Sequence, residues 1–461
     1  MSPKSDSCPQ KDRTASESYV GVRTCMGITE NNLVEVRLPK EDLLERILSP
    51  SNLNMAYKRV KSNGGSGGVD KLGTEDLLPY LRIHKDALVS SLRKGRYRPN
   101  PVRRVEIPKP DGGVRKLGVP TVVDRMIQQS ISQILMPIYE REFSDNSFGF
   151  RPNRGCHDAL KRAQLHLNAG YTYCVDLDLE KFFDTVQHSK LIEILSRRIK
   201  DGRVISLIHK YLNAGVMVRQ SYEATTEGVP QGGNLSPLLS NVMLNEMDKE
   251  LERRGHKFVR YADDCMIFCK SKRGAERVKE SMTKYIEEEL HLRVNRKKTT
   301  VGYVRGMKYL GYSFYKSKGE WRLSVHPKSY SKMETRIREL TSRSSGKGYV
   351  RLKQELAWFI RGWVGYFHLA DMQSRLQRTD EWLRRRIRMC IWKYWKKAKT
   401  KFANLQRCGL NKGKAWEYAN TRLGYWRIAG SYILSTTITN ERLLKAGYPS
   451  FLQYYGKLHR K

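Results

Sequence analysis

The sequence contains no long run of apolar residues and only a few scattered cysteines. No stretch reaches the roughly 18 consecutive apolar residues of a membrane-spanning helix, so we expect no membrane association. The first 40 residues have no apolar signal-peptide core, and we interpret them as a mostly disordered extension. The eight cysteines include no Cys-x-x-Cys pair, which argues against a disulfide framework or a four-ligand zinc site and fits a reducing cytoplasm.

Acidic residues are scarce relative to basic ones. The 461 residues include 86 Lys and Arg but only 47 Asp and Glu, which gives a formal net charge of +39. Residues 321–461 hold 31 Lys and Arg against 8 Asp and Glu, and aromatic residues alternate with cations between Trp382 and Lys397. Because cations meet phosphates and aromatic rings stack on bases, this region is predicted to bind nucleic acid rather than to be only a solvated face. The candidate RNA-binding residues are Arg384, Arg385, Arg386 and Arg388.

The hydrophobic pattern predicts an α+β core followed by a helical region. A β-hairpin is predicted over residues 102–119, and short strands over 173–179 and 257–268. Helical spacing begins at Leu43 and returns over 121–143, 188–213, 237–254 and 274–290, and it dominates from about 328 to 400. Asn63 and the five Gly and Ser residues at 64–68 interrupt the first helical stretch, and spacing alone does not distinguish a linker from a functional loop.

Carboxylates on two predicted strands indicate a metal site. Asp263 and Asp264 follow one apolar segment and precede another, which places them at the tip of a β-hairpin. Asp176 and Asp178 lie on a second strand, and strand alternation puts both on one face without choosing between them. Three carboxylates on neighbouring strands suit two-metal phosphoryl transfer, in which one ion activates a hydroxyl and the other holds a triphosphate.

Several motifs in this sequence resemble those of one family. Residues 261–264, Tyr-Ala-Asp-Asp, resemble the catalytic motif of reverse transcriptases, and residues 228–237, Gly-Val-Pro-Gln-Gly-Gly-Asn-Leu-Ser-Pro, resemble a template-facing motif. Further motifs occur in family order at 107–115, 148–152, 178–184, 292–299 and 308–312. The chain thus resembles group II intron-encoded reverse transcriptase/maturases of the bacterial class C-like branch, without an endonuclease domain.

This resemblance implies a right-hand polymerase. Its fingers and palm, with an antiparallel palm sheet, would span residues 41–320, an all-α thumb or maturase X domain 321–400, and a basic DNA-binding helical segment 401–461. The expected activity is RNA-directed DNA synthesis for intron retrohoming, together with binding of intron RNA to assist splicing. The expected partners are group II intron RNA, an RNA template with a DNA primer or target DNA, and deoxynucleoside triphosphates, in the bacterial cytoplasm.

The resemblance also assigns roles to individual residues. The family places a metal ligand five residues before the aromatic that checks the sugar, and counting back from Phe183 selects Asp178 over Asp176. Two Mg²⁺ ions, replaceable by Mn²⁺, would be held at Asp178, Leu179, Asp263 and Asp264. The nucleotide-binding positions would be Arg103, Lys109, Arg115, Phe183, Gln231 and Lys298. The glycine stretch at 63–68 matches a template-contacting loop, which makes a plain linker the weaker interpretation.

Three other functions share part of this pattern. An RNA-directed RNA polymerase shares the palm carboxylates, but it usually has Gly before the Asp pair and a smaller residue at the position of Phe183. A splicing factor with an inactive polymerase is disfavoured by intact Asp178, Asp263, Asp264 and Gln231. A retron or diversity-generating reverse transcriptase is disfavoured by the Gln-Gly-Gly-x-x-Ser-Pro segment and the long basic thumb.

Overall fold

The computed structural model describes residues 43–108, 112–344, 346 and 348–460, and these divide into two compact units, one ending at Tyr303 and one beginning at Val304. The predicted N-terminal extension and the candidate Lys109 therefore lie outside the described residues. The domain boundaries at residues 320 and 400 stay predictions.

The first unit mixes helices with short strands. Its helices are α1 (Leu43–Ile47), α2 (Pro50–Asn63), α3 (Leu77–Arg93), α4 (Val122–Glu140), α5 (Cys156–Asn168), α6 (Phe182–Thr185), α7 (His188–Arg198), α8 (Gly202–Leu212), α9 (Ser236–Arg253) and α10 (Lys272–Glu288). Its strands are β1 (Val102–Pro108), β2 (Val114–Val119), β3 (Tyr173–Leu177), β4 (Val216–Val218), β5 (Ser221–Glu223), β6 (Lys257–Tyr261), β7 (Asp264–Cys269) and β8 (Thr300–Tyr303).

Two four-stranded sheets organise this unit. The first has the order β2-β1-β4-β5, in which β1 and β2 form the predicted antiparallel hairpin and β4 runs parallel to β1. The second has the order β6-β7-β3-β8 and is antiparallel throughout. Alternate residues of the second sheet, among them Val175 and Ile267, join an apolar core with α9 and α10. The opposite alternation is also buried along most of its length, at Cys174, Met266 and Phe268, and carries the acidic residues toward the ends of the strands.

Local sequence signals explain where the helices begin and end. The Ser49 hydroxyl accepts a hydrogen bond from the Asn52 N–H at the start of α2, and Thr121 does the same for the Asp124 N–H at the start of α4. The helical pattern over 188–213 is two helices rather than one, because the Asp201 carboxylate caps α8 and ends the continuous run. The predicted sequence of mixed strands and helices is otherwise confirmed, with boundaries shifted by a few residues.

The second unit begins with a small sheet and continues as helices. The sheet has the antiparallel order β11-β10-β9, formed by β9 (Lys308–Tyr309), β10 (Tyr312–Ser317) and β11 (Glu320–Val325). The helices are α11 (Pro327–Leu340), α12 (Tyr349–Phe367), α13 (Gln373–Tyr394), α14 (Ala398–Arg407), α15 (Lys412–Ala419), α16 (Tyr425–Ala429), α17 (Tyr432–Thr437), α18 (Asn440–Lys445) and α19 (Phe451–His459). None of the helices among the described residues is long and apolar enough to cross a membrane. The prediction of an α+β core followed by a helical C-terminal region is confirmed.

Candidate active site

The register of the antiparallel sheet brings the candidate carboxylates together. Leu177 at the end of β3 pairs with Cys265 in β7, so the next positions outward are Asp178 on one strand and Asp264 on the other. Directly opposed residues of an antiparallel pair present their side chains on the same face. Asp178 and Asp264 are therefore neighbours across the strand ends. Asp176 instead lies within the paired segment, opposite Met266 and Thr300.

Asp263 occupies the turn between β6 and β7. Tyr261 pairs with Asp264, which leaves Ala262 and Asp263 as a two-residue turn, and Ala262 has the left-handed φ of 56°. The Asp263 side chain reaches solvent, yet surrounding protein removes part of its hydration, which raises the pKa of its carboxyl, and the nearby Asp178 charge raises it further. Carboxylates that destabilise each other in this way are a donor set suited to a divalent cation.

The main chain of Asp178 is fixed by residues from the segment before β8. The Asp178 N–H donates to the Thr299 hydroxyl oxygen at 3.2 Å, and the Thr299 hydroxyl donates to the Asp178 carbonyl oxygen at 3.3 Å. The Asn295 N–H donates to the same carbonyl at 2.9 Å. Thr299 is not among the residues predicted from the sequence, since nothing in the pattern around a buried threonine indicates a role until its hydrogen-bond partner is known.

Lys298 lies beside Asp178 and remains open to solvent. Its Nζ is 3.8 Å from Asp178 Oδ2, and its side chain is 68% exposed. A cation on a solvated side chain at this distance contributes little to stability. The geometry instead places a solvent-exposed positive charge next to a candidate metal ligand.

Leu179 can serve a metal only through its main chain. Its side chain is buried and apolar, and its backbone forms an isolated antiparallel bridge with Val294. Across the part of the chain that the structure describes, no three His, Cys, Asp or Glu side chains form a ready metal-binding group. The carboxylates of Asp178, Asp263 and Asp264 are nevertheless the oxygen donors that Mg²⁺ prefers, so the residues present fit such an ion.

The β1–β2 hairpin contributes one cation to this site and uses another for its own support. Arg115 on β2 is exposed, and its positive charge partly offsets the rise in the pKa of the Asp263 carboxyl. Arg103 on β1 instead binds the glycine stretch, because its Nη2 donates to the Gly67 carbonyl at 2.8 Å and to the Ser66 hydroxyl at 3.0 Å. The structure therefore brings Arg115 toward the carboxylates and gives Arg103 contacts within the protein.

The glycine stretch is a docked loop rather than a free linker. Arg125 on α4, which the sequence analysis missed, donates to the Ser66 carbonyl at 2.6 Å. A side chain at Gly68 would collide with the Thr121 backbone, its Cβ lying 2.6 Å from Thr121 Cα. Only glycine permits so close an approach, which explains a Gly/Ser composition whose spacing alone does not distinguish a linker from a functional loop.

The segment at 228–237 joins the hairpin to the region of Phe183. The Gly118 N–H of β2 donates to the Gln231 carbonyl at 2.8 Å, and the Val229 N–H donates to the Phe183 carbonyl at 2.6 Å. Gly232 has a φ of 120°, and a Cβ there would lie 2.8 Å from the Gly118 carbonyl oxygen. Half-buried Gln231 is thus held between the two sides of the site.

Phe183 is partly exposed, whereas its neighbour Phe182 is 3% exposed and belongs to the core. The two rings contact each other edge to face, with centroids 5.2 Å apart. Phe183 follows Asp178 by one short loop, and its side chain packs against the core while keeping part of its surface exposed.

The four candidate arginines on α13 do not share one exposed face. Arg388 is 8% exposed and donates to the Ile438 carbonyl at 2.9 Å and to Asn440 Oδ1 at 3.0 Å. Arg386 donates to the Thr341 hydroxyl at 2.5 Å, and Arg385 lies over the Trp426 ring, 4.1 Å from its centroid. Arg384 is half-buried. RNA binding by this set stays a prediction, and the contacts of Arg385, Arg386 and Arg388 give these three a packing role.

Two family models match the chain, and together they cover most of both units. The model described as reverse transcriptase (RNA-dependent DNA polymerase) matches residues 107–314, and the model described as group II intron, maturase-specific domain matches residues 330–409.

Curated relatives agree with these models. Protein YkfC of Escherichia coli strain K12 is 34% identical over 320 residues, which cover 60% of this chain and 84% of YkfC. Group II intron-encoded protein LtrA of Lactococcus lactis is 30% identical over 385 residues, which cover 69% of this chain and 62% of LtrA. A putative COX1/OXI3 intron 2 protein of Saccharomyces cerevisiae is 34% identical over 232 residues, or 49% of this chain and 26% of that protein. The match thus spans less than two thirds of the last two relatives. The chain belongs to the group II intron-encoded reverse transcriptases and maturases, and its catalytic domain is an RNA-directed DNA polymerase.

Proposed function

We propose that this protein copies RNA into DNA with two bound Mg²⁺ ions, which Mn²⁺ can replace, and that it does so for the retrohoming of a bacterial group II intron. The observation that carries the proposal is the register of β3 against β7, in which Asp178 and Asp264 are neighbours and Asp263 lies on the adjoining turn. Asp178, Asp263, Asp264 and the Leu179 carbonyl would hold the ions. When bound, the ions would activate the primer hydroxyl and stabilise charge on the triphosphate.

The protein's own residues would select and orient the deoxynucleoside triphosphate. Arg115 and Lys298 supply positive charge beside the carboxylates, and Lys298 is placed to neutralise or protonate the departing pyrophosphate. Phe183 would occupy the space that a ribose 2′-hydroxyl needs. Gln231, fixed by its carbonyl to Gly118, would contact the nucleotide and template, and Arg103 would act by holding the 64–68 loop against the template. Lys109 belongs to this proposed set by the family resemblance alone.

The helical unit would bind intron RNA, assist its splicing and contact target DNA. Exposed aromatic side chains stand among cations in its last third, with Trp416 at 63% and Tyr432 at 82% exposure near Lys412, Lys414 and Arg422. Exposed rings are suited to stacking on bases while neighbouring cations meet phosphates. This composition supports nucleic-acid binding by residues 401–461, and a place of action in the bacterial cytoplasm follows from that proposed role.

Primer extension on an RNA template tests the proposed polymerase site. With Mg²⁺, the wild-type protein should extend a DNA primer, and Asp263→Asn and Asp264→Asn should each abolish extension while leaving RNA affinity unchanged, because they remove metal ligands without changing the basic surfaces. Glu276→Gln on α10, an exposed acidic position twelve residues after Asp264, is the matched control and should extend normally. Extension at the wild-type rate by Asp263→Asn would contradict the proposal.

A further inference from the structure

Arg260 is a fully buried arginine in the strand that leads to the candidate metal ligands. It lies on β6, three residues before Asp263, and its exposure is 0%. Its Nε donates to Asp248 Oδ1 at 2.8 Å and its Nη2 to Asp248 Oδ2 at 2.5 Å, and Asp248 on α9 is equally buried. Removing two charges from water carries a large desolvation cost, and an apolar pair of the same size would often be at least as stable. The pair therefore calls for an explanation other than stability.

The same guanidinium also contacts the turn that carries Asp263. Arg260 Nη1 donates to the Ala262 carbonyl at 2.9 Å and to Asn241 Oδ1 at 3.0 Å. Asn241 in turn donates through Nδ2 to the Gly149 carbonyl at 2.8 Å. One planar side chain thus connects α9, the turn and the segment around Gly149, which the compact ammonium of a lysine could not do.

The turn needs such support because its geometry is unfavourable for the residue that forms it. Ala262 has a left-handed φ of 56°, which an L-amino acid with a Cβ adopts only at a cost. Gly149 packs so closely that an added Cβ would overlap the Ala262 nitrogen. The Arg260 backbone is also held on both sides, since its N–H donates to the Asn146 carbonyl and its carbonyl accepts from the Phe148 N–H, each at 2.9 Å.

We propose that Arg260 is a positioning residue for catalysis, and that its link from Asp248 to the Ala262 carbonyl holds Asp263 and Asp264 in the geometry that binds metal. Arg260 itself touches neither substrate nor metal. This inference rests on the proposed polymerase chemistry and adds to it the residue that keeps the metal-binding turn in one conformation.

The test is a set of variants that separates positioning from folding. Arg260→Met combined with Asp248→Leu removes both buried charges together, so no charge is left unpaired, but it loses the bond to Ala262. Arg260→Lys keeps the charge and loses the planar link. Arg254→Met is the matched control, because Arg254 also pairs with a carboxylate of α9, with its Nε 2.6 Å from Glu250 Oε1, and its guanidinium lies over the ring of Tyr285 on α10.

Each variant is measured in four ways: thermal melting, Mn²⁺ binding by electron paramagnetic resonance without substrate, kcat, and KM for a deoxynucleotide at saturating metal. We expect the double variant and Arg260→Lys to lose Mn²⁺ affinity and kcat by about 10- to 100-fold, with a smaller change in KM. Arg254→Met should match the wild type in all four measurements.

Wild-type Mn²⁺ affinity and kcat in a folded double variant would overturn the role of Arg260. If the double variant does not fold, Arg260→Lys decides the question. Wild-type Mn²⁺ affinity and kcat in Arg260→Lys would overturn the proposed role of Arg260, and loss of both would support it. A wild-type protein that binds Mn²⁺ but extends no primer would refute the proposed function instead, so the two failures are distinguishable.

Discussion

Phe182 and Phe183 are adjacent in sequence but have different environments. Phe182 lies in the core, while Phe183 packs against the core and stays partly exposed. A DNA polymerase must reject ribonucleotides, which differ from its substrates by one hydroxyl, and a ring in the way of that hydroxyl is a direct means of doing so. The structural difference between the two rings separates this role from ordinary core packing.

We predict that Phe183→Ala raises kcat/KM for ribonucleotides by about 100-fold or more while leaving deoxynucleotide incorporation near the wild-type level, because a steric exclusion worth about 3 kcal/mol would be lost. Single-nucleotide incorporation with matched deoxy- and ribonucleotides measures this ratio. Phe182→Ala is the control, and it should instead lower stability by about 3–5 kcal/mol and leave the ratio unchanged. An unchanged ratio in Phe183→Ala with a lowered melting temperature would identify Phe183 as a core residue.

At the scale of elements, α13 shows why a run of arginines in sequence is not one surface. Successive residues of a helix are rotated by about 100°, so Arg384 and Arg388 share a face while Arg385 and Arg386 point elsewhere. The buried contacts of Arg388 with Ile438 and Asn440 tie α13 to the chain around α17 and α18. Charge counting predicts a basic region correctly, but it does not distinguish a cation that binds RNA from one that holds helices together.

We predict that Arg384→Gln and Arg388→Gln fail in different assays. Arg384→Gln should weaken binding to intron RNA and reduce the slope of log affinity against log salt by about 1, as expected for one lost phosphate contact. Arg388→Gln should lower stability by about 2 kcal/mol, because it leaves a buried carbonyl without its donor. Filter binding over a salt series and thermal melting measure the two effects. Equal loss of RNA affinity in both, with no change in melting, would contradict this assignment.

The last helix is attached to α13 through one buried carboxylate. Asp380 is 2% exposed and accepts hydrogen bonds from the Phe451 N–H at 2.9 Å, the Leu452 N–H at 3.0 Å and the Ser450 hydroxyl at 2.6 Å. The two N–H groups lie in the first turn of α19, where a backbone donor has no acceptor within the helix. A negative charge at this end is also favoured by the helix dipole.

We predict that Asp380→Ala releases α19 from the helical unit at a cost of about 2–3 kcal/mol, because three donors lose their acceptor in a buried position. Hydrogen exchange of the amides in residues 451–459 should become faster in this variant and stay unchanged in Glu381→Ala, whose exposed side chain follows Asp380 in sequence. Unaltered protection in Asp380→Ala would show that apolar contacts alone hold the helix.

For the whole molecule, the net charge of +39 dominates encounters with nucleic acid. Binding that neutralises six to ten phosphates should lose about 1,000-fold or more in affinity between 50 and 200 mM salt, because released counterions drive association. Equilibrium binding of intron RNA across this range measures the slope. A slope near zero would mean that the charge faces solvent and that recognition depends on other contacts.

The sequence predicts the order of elements and the class of chemistry well, because both depend on local patterns. The hairpin at 102–119 is an example, since its alternation is visible without a structure, and the motif at 261–264 is recognised by its resemblance to a family motif. What it cannot give are contacts between distant segments. The roles of Thr299, Arg125 and Arg260 depend on partners that lie far along the chain or across a turn. The hydrophobic pattern of the sequence does not predict these contacts.

The central position of β3 has a consequence during synthesis on the ribosome. Both of its neighbours, β7 and β8, come later in the chain, so the strand emerges with no partner for either edge. At 5–20 residues per second, roughly ninety further residues take on the order of ten seconds to be made before β7 is complete. During that interval the short apolar strand carries one charge within it, Asp176, and one directly after it, Asp178. Charges in such positions oppose aggregation of exposed strands. We therefore predict that replacing both aspartates lowers the yield of soluble protein, because the exposed strand would then carry no charge that opposes aggregation.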